Sequence, residues 1–550
     1  MATVGTELPN GMSIGRRKVR SVVSNGMLCS AVELGLGDDA EGILQLDRRT
    51  AAGMGVAEAL GLEPDVVYDL AIEGNRPDAN CMAGVARDAA ARLKLPFSLP
   101  TPDVARSGPP VGSLATVAVE RPDLCPRFTA TAVTGVEIAS SPALVQKRLV
   151  LAGMRPINNA VDASNYVMLE LGQPTHPYEL ERLGGGGLSV RAAREGERVV
   201  TLDGVERTMT AGQDCLICDA NGEPVGIGGI MGGWSTEISA TTTTVLLEAA
   251  WFGPMAISGT SKRLGLRTEA SARFERGCDP AGIARAVGRF CQLLEGAAVA
   301  AGMVSVDAPE HLPAPARVAV RTERVNAVLG TALTDADVAA YLAPIGFSAS
   351  LVEAGVHEVA IPTFRPDSER EVDVIEEVAR HHGYSRIARS LPCIAAVGGL
   401  TPRQHERRRA REVLCGAGAS EAWTSSLLGP GDHERAGLAG EAIELTNPLA
   451  REESLLRTSL LPGLLGALAH NANQRNPFVR LFEVGRVFPP PAGAEGLPEE
   501  RELVAVALAA EGDDAAAARR VWDVLAGALR LDGPVTEAAL VAGLHPGRAA

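Results

Sequence analysis

The segment at residues 155–180, RPINNAVDASNYVMLELGQPTHPYEL, constrains the fold of this chain more than any other. It sets asparagine, aspartate, glutamine and histidine side chains among the valine, methionine and leucine residues of a core. Burying such polar groups costs free energy unless they hydrogen-bond to one another, to backbone or to a ligand. The segment therefore predicts one wall of a pocket.

Three later segments predict further walls. The run GIGGIMGG at 226–233 permits close backbone approach to a ligand, or a tight structural turn, and both interpretations stay open. The apolar strand VLLEAAWF at 245–252 contains Glu248, a carboxylate that must be paired or face a polar cavity. GLRTEASARFERGCDP at 265–280 supplies Thr268 and several charged residues, for which a solvated helix face is the alternative.

The sharpest ligand pattern is acidic and lies in RPDSEREVDVIEEVARHHGY at 365–384. Asp373 shares a helical face with Glu376 and Glu377, and Asp367 lies just before the helix. Carboxylate oxygens suit Mg²⁺ better than a softer metal. An acidic bias that matches the helix dipole is the alternative, and residue types alone favour that alternative.

Composition narrows the class of protein. The chain has 550 residues, enough for roughly three to four domains at about 150 residues each, and 46% hydrophobic content supplies several cores. A net charge of −15 argues against a general nucleic-acid coat, although basic runs at 16–20 and 403–411 leave local patches possible. No apolar run is long enough to span a bilayer.

The cysteines and the N-terminus indicate the compartment. The start of the chain lacks the basic and apolar regions of a secretory signal. Nine cysteines are scattered without the spacing of a disulfide framework, so we expect a reduced cytoplasm. Cys215 and Cys218 lie in a predicted strand without a second pair at metal-site spacing, and we interpret both as core residues.

Taken together and in order, these segments and NPLAREESLLRTSLLPGLL at 447–465 resemble the beta subunit of bacterial phenylalanyl-tRNA synthetase. The resemblance covers nearly all of the chain, and both ends look cut. It implies a multidomain α+β protein. The implied modules are the end of an OB-type tRNA-binding barrel (1–50), a connecting segment (51–110), an editing domain (111–300), a small α/β domain with a magnesium site (315–390) and a class II synthetase-like antiparallel sheet without catalytic residues (398–550).

The resemblance also implies a function. Such a chain joins an alpha subunit in an (αβ)₂ ligase that attaches phenylalanine to its tRNA with ATP, the aminoacylation site lying on alpha. The beta chain hydrolyses tyrosine wrongly attached to that tRNA. Matching motifs places the editing site on six positions: Asn165, His176, Glu248 and Thr268 as catalytic residues, and Gly232 and Ala270 as substrate-binding residues.

The family's acidic pattern, D-x5-D-x2-E-E, matches at every position and turns the preference toward Mg²⁺. The implied metal ligands are Asp367, Asp373, Glu376 and Glu377.

Two other functions stay open. One is a freestanding aminoacyl-tRNA deacylase, against which we set a predicted apolar interface helix at 455–468. The other is a non-catalytic tRNA-binding or assembly protein, against which we set the intact Asn165, His176 and Glu248. The incomplete barrel and the absent C-terminal anticodon-binding domain put tRNA affinity in doubt.

Overall fold

The structure, a computed structural model, describes residues 1–36, 42–46, 48–60, 65–294, 297–391, 398–491, 493 and 496–531. The chain divides into two compact units, residues 1–389 and 390–550. The described residues leave out 37–41 near the N-terminus and Cys393. They also leave out the final residues, where the expected cut end lies. Within them, helices and strands mix in several sheets, as expected for a multidomain α+β chain, and no helix is long and apolar enough to cross a membrane.

The N-terminal segment forms small ribbons. Strand β1 pairs with β4 and β2 pairs with β3, so the described part of residues 1–50 holds two ribbons where we expected part of a barrel. The sequence pattern predicts a helix over 79–93, and helix α2 begins at residue 82 because Pro77–Ala79 forms a separate 3₁₀ turn. The elements are β1 (Ala2–Thr3), β2 (Arg17–Val19), β3 (Val22–Ser24), β4 (Gly26–Met27), α1 (Val56–Ala59) and α2 (Met82–Leu93).

The central module, residues 111–307, is built from two five-stranded sheets, a two-stranded β9–β10 ribbon and the helices that pack on them. Its strands are β5 (Thr116–Val119), β6 (Arg127–Thr134), β7 (Thr175–Glu179), β8 (Gly187–Ala192), β9 (Arg198–Val200), β10 (Glu206–Thr208), β11 (Cys215–Asp219), β12 (Pro224–Ile227), β13 (Met231–Gly232), β14 (Thr244–Trp251), β15 (Ala298–Val299) and β16 (Val304–Asp307). Its helices are α3 (Ala143–Leu151), α4 (Asn159–Leu171), α5 (Pro254–Leu264), α6 (Glu269–Phe274) and α7 (Ile283–Leu293).

The first sheet has the order β13-β12-β11-β8-β5, and the second has the order β15-β6-β14-β7, with β16 also paired to β6. Strand β14 is antiparallel to β6 on one side and to β7 on the other. Phe128, Leu246 and Phe290 are fully buried in the shared core. Cys215 and Cys218 are also buried on β11 with free thiols, which confirms their interpretation as core residues.

The asparagine-rich segment satisfies most of its polar groups internally. Asn158 caps α4 by accepting the backbone N–H groups of residues 160 and 161 at 3.1 and 3.0 Å. The buried Asp162 accepts a hydrogen bond from Ser141 Oγ at 2.6 Å and another from the Ile157 backbone at 2.8 Å. The prediction of a pocket wall over the whole of 155–180 was therefore too broad, because the first half builds a helix and its support.

A small α/β module follows at residues 317–386. Strands β17, β19 and β18 form an antiparallel sheet in that order. The sequence pattern predicts helices over 335–342 and 369–382; the first is confirmed, and the second begins at residue 371. The elements are β17 (Arg317–Arg321), α8 (Thr322–Leu329), α9 (Asp335–Leu342), β18 (Ser348–Glu353), β19 (Val356–Ala360) and α10 (Glu371–His382).

The second unit holds a three-stranded sheet in which β20 runs parallel to β23 and β24 runs antiparallel to it, so the described sheet is mixed. The predicted helix at 455–468 was wrong at its start. Leu455 and Leu456 form β22, and α13 begins at Leu461, where Pro462 fits the first turn. The elements are α11 (Pro402–Gly416), β20 (Ser420–Glu421), β21 (Leu427–Leu428), α12 (Asp432–Arg435), β22 (Leu455–Leu456), α13 (Leu461–Asn473), β23 (Arg480–Val487), β24 (Arg501–Leu508) and α14 (Ala515–Leu529).

Candidate functional site

A cavity of about 80 Å³ lies between β7, the β12–β13 hairpin, β14 and α6 of the central module. Four of the six expected editing positions line it, one from each of these elements: His176, Gly232, Glu248 and Ala270. Four segments that are separate in sequence therefore meet at one cavity, as expected from their residue chemistry.

Strand register explains how His176 and Glu248 meet. The two residues are direct partners in the antiparallel ladder between β7 and β14, so their side chains lie on the same face of the sheet. Tyr178 follows His176 by two residues and shares that face. Its phenol donates a hydrogen bond to Glu248 Oε2 at 2.7 Å, and its ring meets the His176 ring edge to face at 4.5 Å.

The protonation states follow from burial. Glu248 is 6% exposed, and burial raises the pKa of its carboxyl to about 7, although the hydrogen bond from Tyr178 lowers that pKa. Burial lowers the pKa of His176 to about 4. At neutral pH the cavity therefore holds a neutral imidazole and a carboxyl group close to half ionisation.

Gly232 is required by the close approach of the hairpin to His176. A Cβ atom at this position would lie 2.3 Å from His176 Cε1 and 2.4 Å from Nε2. Backbone and imidazole can share this wall only because residue 232 has no side chain.

Two expected editing residues do not line the cavity. Thr268 caps α6 by accepting the Ser271 N–H at 3.0 Å and donates to the Ile230 carbonyl at 2.8 Å, so it ties α6 to the hairpin. Asn165 lies half-buried on α4 and is not a wall residue. The structure thus gives Thr268 a supporting position and leaves Asn165 outside the cavity.

Sequence reasoning missed Tyr178 and Phe274, which both line the cavity. Tyr178 was detectable, because alternation along the strand THPYE puts it on the same face as His176. Phe274 lies four residues after Ala270 on α6, the spacing that places two side chains on one helical face.

Of the four acidic residues expected to hold magnesium, the structure brings together Asp367 and Glu377, around the guanidinium of Arg365. Arg365, which is 3% exposed, donates two hydrogen bonds of 2.8 Å to the carboxylate of Asp367 and one of 2.8 Å to Glu377 Oε1. Asp373 caps the start of α10 by accepting the Arg370 N–H at 2.8 Å, and Glu376 is exposed.

In the described part of the chain, no group of three or more His, Cys, Asp or Glu side chains is arranged to hold a metal. A buried guanidinium already neutralises two of the four carboxylates, and a third serves as a helix cap. This arrangement does not fit a magnesium ion, so the metal site remains a prediction that rests on the resemblance.

Comparison with known proteins defines the class. Three family models match consecutive stretches: the B3/4 domain at 124–298, the tRNA synthetase B5 domain at 318–384 and the phenylalanyl tRNA synthetase beta chain CLM domain at 387–550. The cavity lies within the first of these stretches. The chain is therefore of the aminoacyl-tRNA synthetase class.

Its relatives identify the family. Three proteins named phenylalanine–tRNA ligase beta subunit are similar to it: that of Geobacter sulfurreducens is 43% identical over 518 residues (92% of this chain, 63% of the relative); that of Anaeromyxobacter dehalogenans is 41% identical over 517 (92% and 64%); that of Syntrophus aciditrophicus is 37% identical over 552 (97% and 66%). The chain belongs to the family of phenylalanine–tRNA ligase beta subunits and spans less than two thirds of the length of these relatives.

A solved N-terminal fragment of the phenylalanyl-tRNA synthetase beta subunit from Pyrococcus horikoshii aligns over 57% of this chain and 85% of the fragment. Its identity of 16% and TM-score of 0.32 are too low to establish a shared fold.

Proposed function

We propose that this chain acts as the beta subunit of a phenylalanine–tRNA ligase and that it hydrolyses tyrosyl-tRNA in the cavity described above. Charging itself, with ATP, belongs to the alpha subunit in an (αβ)₂ assembly in the cytoplasm. The observation that carries the proposal is the buried Glu248 carboxyl, directly opposite His176 at a cavity with close backbone approach at Gly232.

The need for a second site follows from the two amino acids. Phenylalanine and tyrosine differ by one hydroxyl, and a mainly apolar pocket rejects an added hydroxyl only weakly. A buried hydrogen-bond acceptor favours tyrosine over phenylalanine, because bound phenylalanine leaves the acceptor without a partner. Glu248 provides that acceptor, and the close approach of Gly232 to the His176 ring forms another wall of the same cavity.

Water is the proposed nucleophile. Among the residues that the structure describes, no serine or cysteine side chain lines the cavity. His176 is neutral at pH 7 and can accept a hydrogen bond from water, but a pKa of about 4 makes it a weak base. We therefore assign it mainly to orienting water or the ester, a contribution that depends on accurate placement.

The second unit supports the assignment of a partner. Large apolar side chains are exposed on it, among them Trp423 at 96% and Phe478 at 76%. Exposed apolar groups of this size favour an interaction surface, and we propose that the alpha subunit covers it. The same cover would protect Leu465 on α13, which is also exposed.

Co-expression with a tagged alpha subunit tests both halves of the proposal. We expect co-purification of the two chains, phenylalanine charging by the complex, and faster deacylation of tyrosyl-tRNA than of phenylalanyl-tRNA. The same deacylation assay on the chain alone separates this function from a freestanding deacylase. Equal deacylation of the two substrates would contradict the editing assignment, and failure to co-purify would contradict the partner.

Substituting Gly232 by alanine should lower tyrosyl-tRNA deacylation by about 10²-fold, because the new methyl group displaces the His176 ring. Initial rates at fixed enzyme concentration measure the effect. Gly259→Ala is the matched control, since Gly259 is exposed on α5 and a Cβ there meets nothing within 4 Å. Full activity in the Gly232 variant would show that this wall is not part of the site.

A further inference from the structure

We infer that Tyr178 is a positioning residue for specificity, whose phenol holds one oxygen of Glu248 and leaves the other to receive the hydroxyl of the substrate. The inference rests on the proposed editing function and extends it to a residue that the motif comparison did not assign. It concerns how the acceptor is held, whereas the proposed function concerns what the acceptor recognises.

Geometry supports this role. Tyr178 is 1% exposed, and its hydroxyl lies 2.7 Å from Glu248 Oε2. No described group hydrogen-bonds to the other carboxyl oxygen, Oε1. Both residues line the cavity, and both lie on the paired strands β7 and β14. The sheet thus fixes a resident phenol against the carboxyl group that we assign to the substrate phenol.

The surroundings of Glu248 make this hydrogen bond important. The titratable groups that face it are the His176 imidazole, the Tyr178 phenol and the buried thiols of Cys125 and Cys215. Burial raises the pKa of both thiols and lowers that of His176, so all of these groups are neutral at pH 7. Among the described residues, only Tyr178 lowers the pKa of Glu248.

The direction of the pKa change expected for Glu248 in the variant Tyr178→Phe follows from this hydrogen bond. The phenol stabilises the ionised carboxylate, so its removal raises the pKa of Glu248 further above that of an exposed glutamate. An ionised Glu248 can only accept hydrogen bonds, so it favours a substrate that carries a phenol. The protonated acid can also donate, so it discriminates less strongly between tyrosine and phenylalanine. Preference for tyrosine should therefore rise with pH, with its midpoint near 7 in the wild type and at higher pH in the variant.

The test compares tyrosyl-tRNA and phenylalanyl-tRNA deacylation by the complex of the full chain with the alpha subunit, from pH 5.5 to 8.5. The ratio of the two rates is used because hydroxide attack on the ester affects both substrates alike. We expect the midpoint of this ratio to move up by about one pH unit in Tyr178→Phe. Glu248→Gln, which cannot titrate, should give a flat and lowered ratio.

The possible outcomes distinguish the proposed editing function from the role of Tyr178. If the wild type shows no preference for tyrosyl-tRNA, the proposed function fails. If the wild type shows it and Tyr178→Phe keeps the same midpoint, the role of Tyr178 is overturned. Should Tyr178→Phe not fold, the wild type and Glu248→Gln still decide: a wild-type ratio that is as flat with pH as that of Glu248→Gln would also overturn the inference.

Discussion

Alanine at both His176 and Glu248 should abolish selective deacylation of tyrosyl-tRNA, with a loss of about 10²-fold or more. The double change removes the acceptor for the phenol and the imidazole that orients the attacking water. The two side chains are direct ladder partners at one cavity, so both changes affect the same bound substrate. Release of tyrosine from pre-charged tRNA over time measures the loss.

The fold should survive this double change. Glu248 is a buried, partly ionised group whose removal relieves a desolvation cost, while the Tyr178 hydroxyl loses its partner at about 1–3 kcal/mol. Co-purification with alpha and an unaltered circular dichroism spectrum are the controls. Unchanged deacylation in a folded double variant would remove the site from this cavity.

Arg365→Met should destabilise the small α/β module by about 3–5 kcal/mol, because it leaves Asp367 without its counter-ion and the buried Glu377 with Arg380 alone. Denaturant unfolding followed by circular dichroism measures the change. Arg370→Met is the matched control: Arg370 contacts Asp373 at 3.0 Å, but its side chain is 76% exposed. Exposed ion pairs contribute about 0–1 kcal/mol to the free energy of unfolding, so the control variant should be nearly as stable as the wild type.

The direction in which stability changes with pH follows from the pKa of Glu377. Burial raises the pKa of Glu377, but the hydrogen bonds and charges of Arg365 and Arg380 outweigh it and hold this pKa at about 2, below its ordinary value of 4.5. A carboxyl group whose pKa is lower in the folded than in the unfolded state stabilises the fold; this stabilisation is complete above the unfolded-state pKa and is lost as pH falls through the folded-state pKa. The wild type should therefore lose this contribution between about pH 4.5 and pH 2, and Arg365→Met should retain only the part that Arg380 supplies.

The effect of Mg²⁺ on the Tm tests whether Arg365, rather than a metal ion, neutralises these carboxylates. If Arg365 neutralises these carboxylates, millimolar Mg²⁺ should not raise the Tm of the wild-type chain beyond the effect of matched ionic strength. A specific rise in Tm with Mg²⁺, lost in Glu376→Gln, would contradict the arginine-centred arrangement and support the metal site that the resemblance implies.

The parts of the fold that could be predicted depend on local signals. The helix at 335–342 has a Thr334–Asp337 capping box, and the cysteines of β11 lie in an apolar strand, so both were correctly assigned from short stretches. The start of α13 was misjudged because leucines recur on both sides of Arg457, Thr458 and Ser459, although Pro462 marks the boundary.

Contacts between distant residues could not be predicted from pattern alone. The motifs placed His176 and Glu248 in one site, but the ladder register that makes them partners depends on pairing across more than seventy residues. Acidic spacing at 367–377 suggested a cation without revealing that a nearby guanidinium folds back onto Asp367 and Glu377. Sequence shows which charges are present, whereas three-dimensional proximity decides which of them pair.

The interior position of β14 has a consequence for translation at high temperature. This strand is bonded along its whole length to β6 and over five residues to β7, so Glu248 cannot turn away unless the sheet separates. Under the proposed editing function, the site should therefore lose selectivity only when these strands separate on heating. Mistranslation of phenylalanine codons should thus stay constant with warming and then rise sharply where the domain melts.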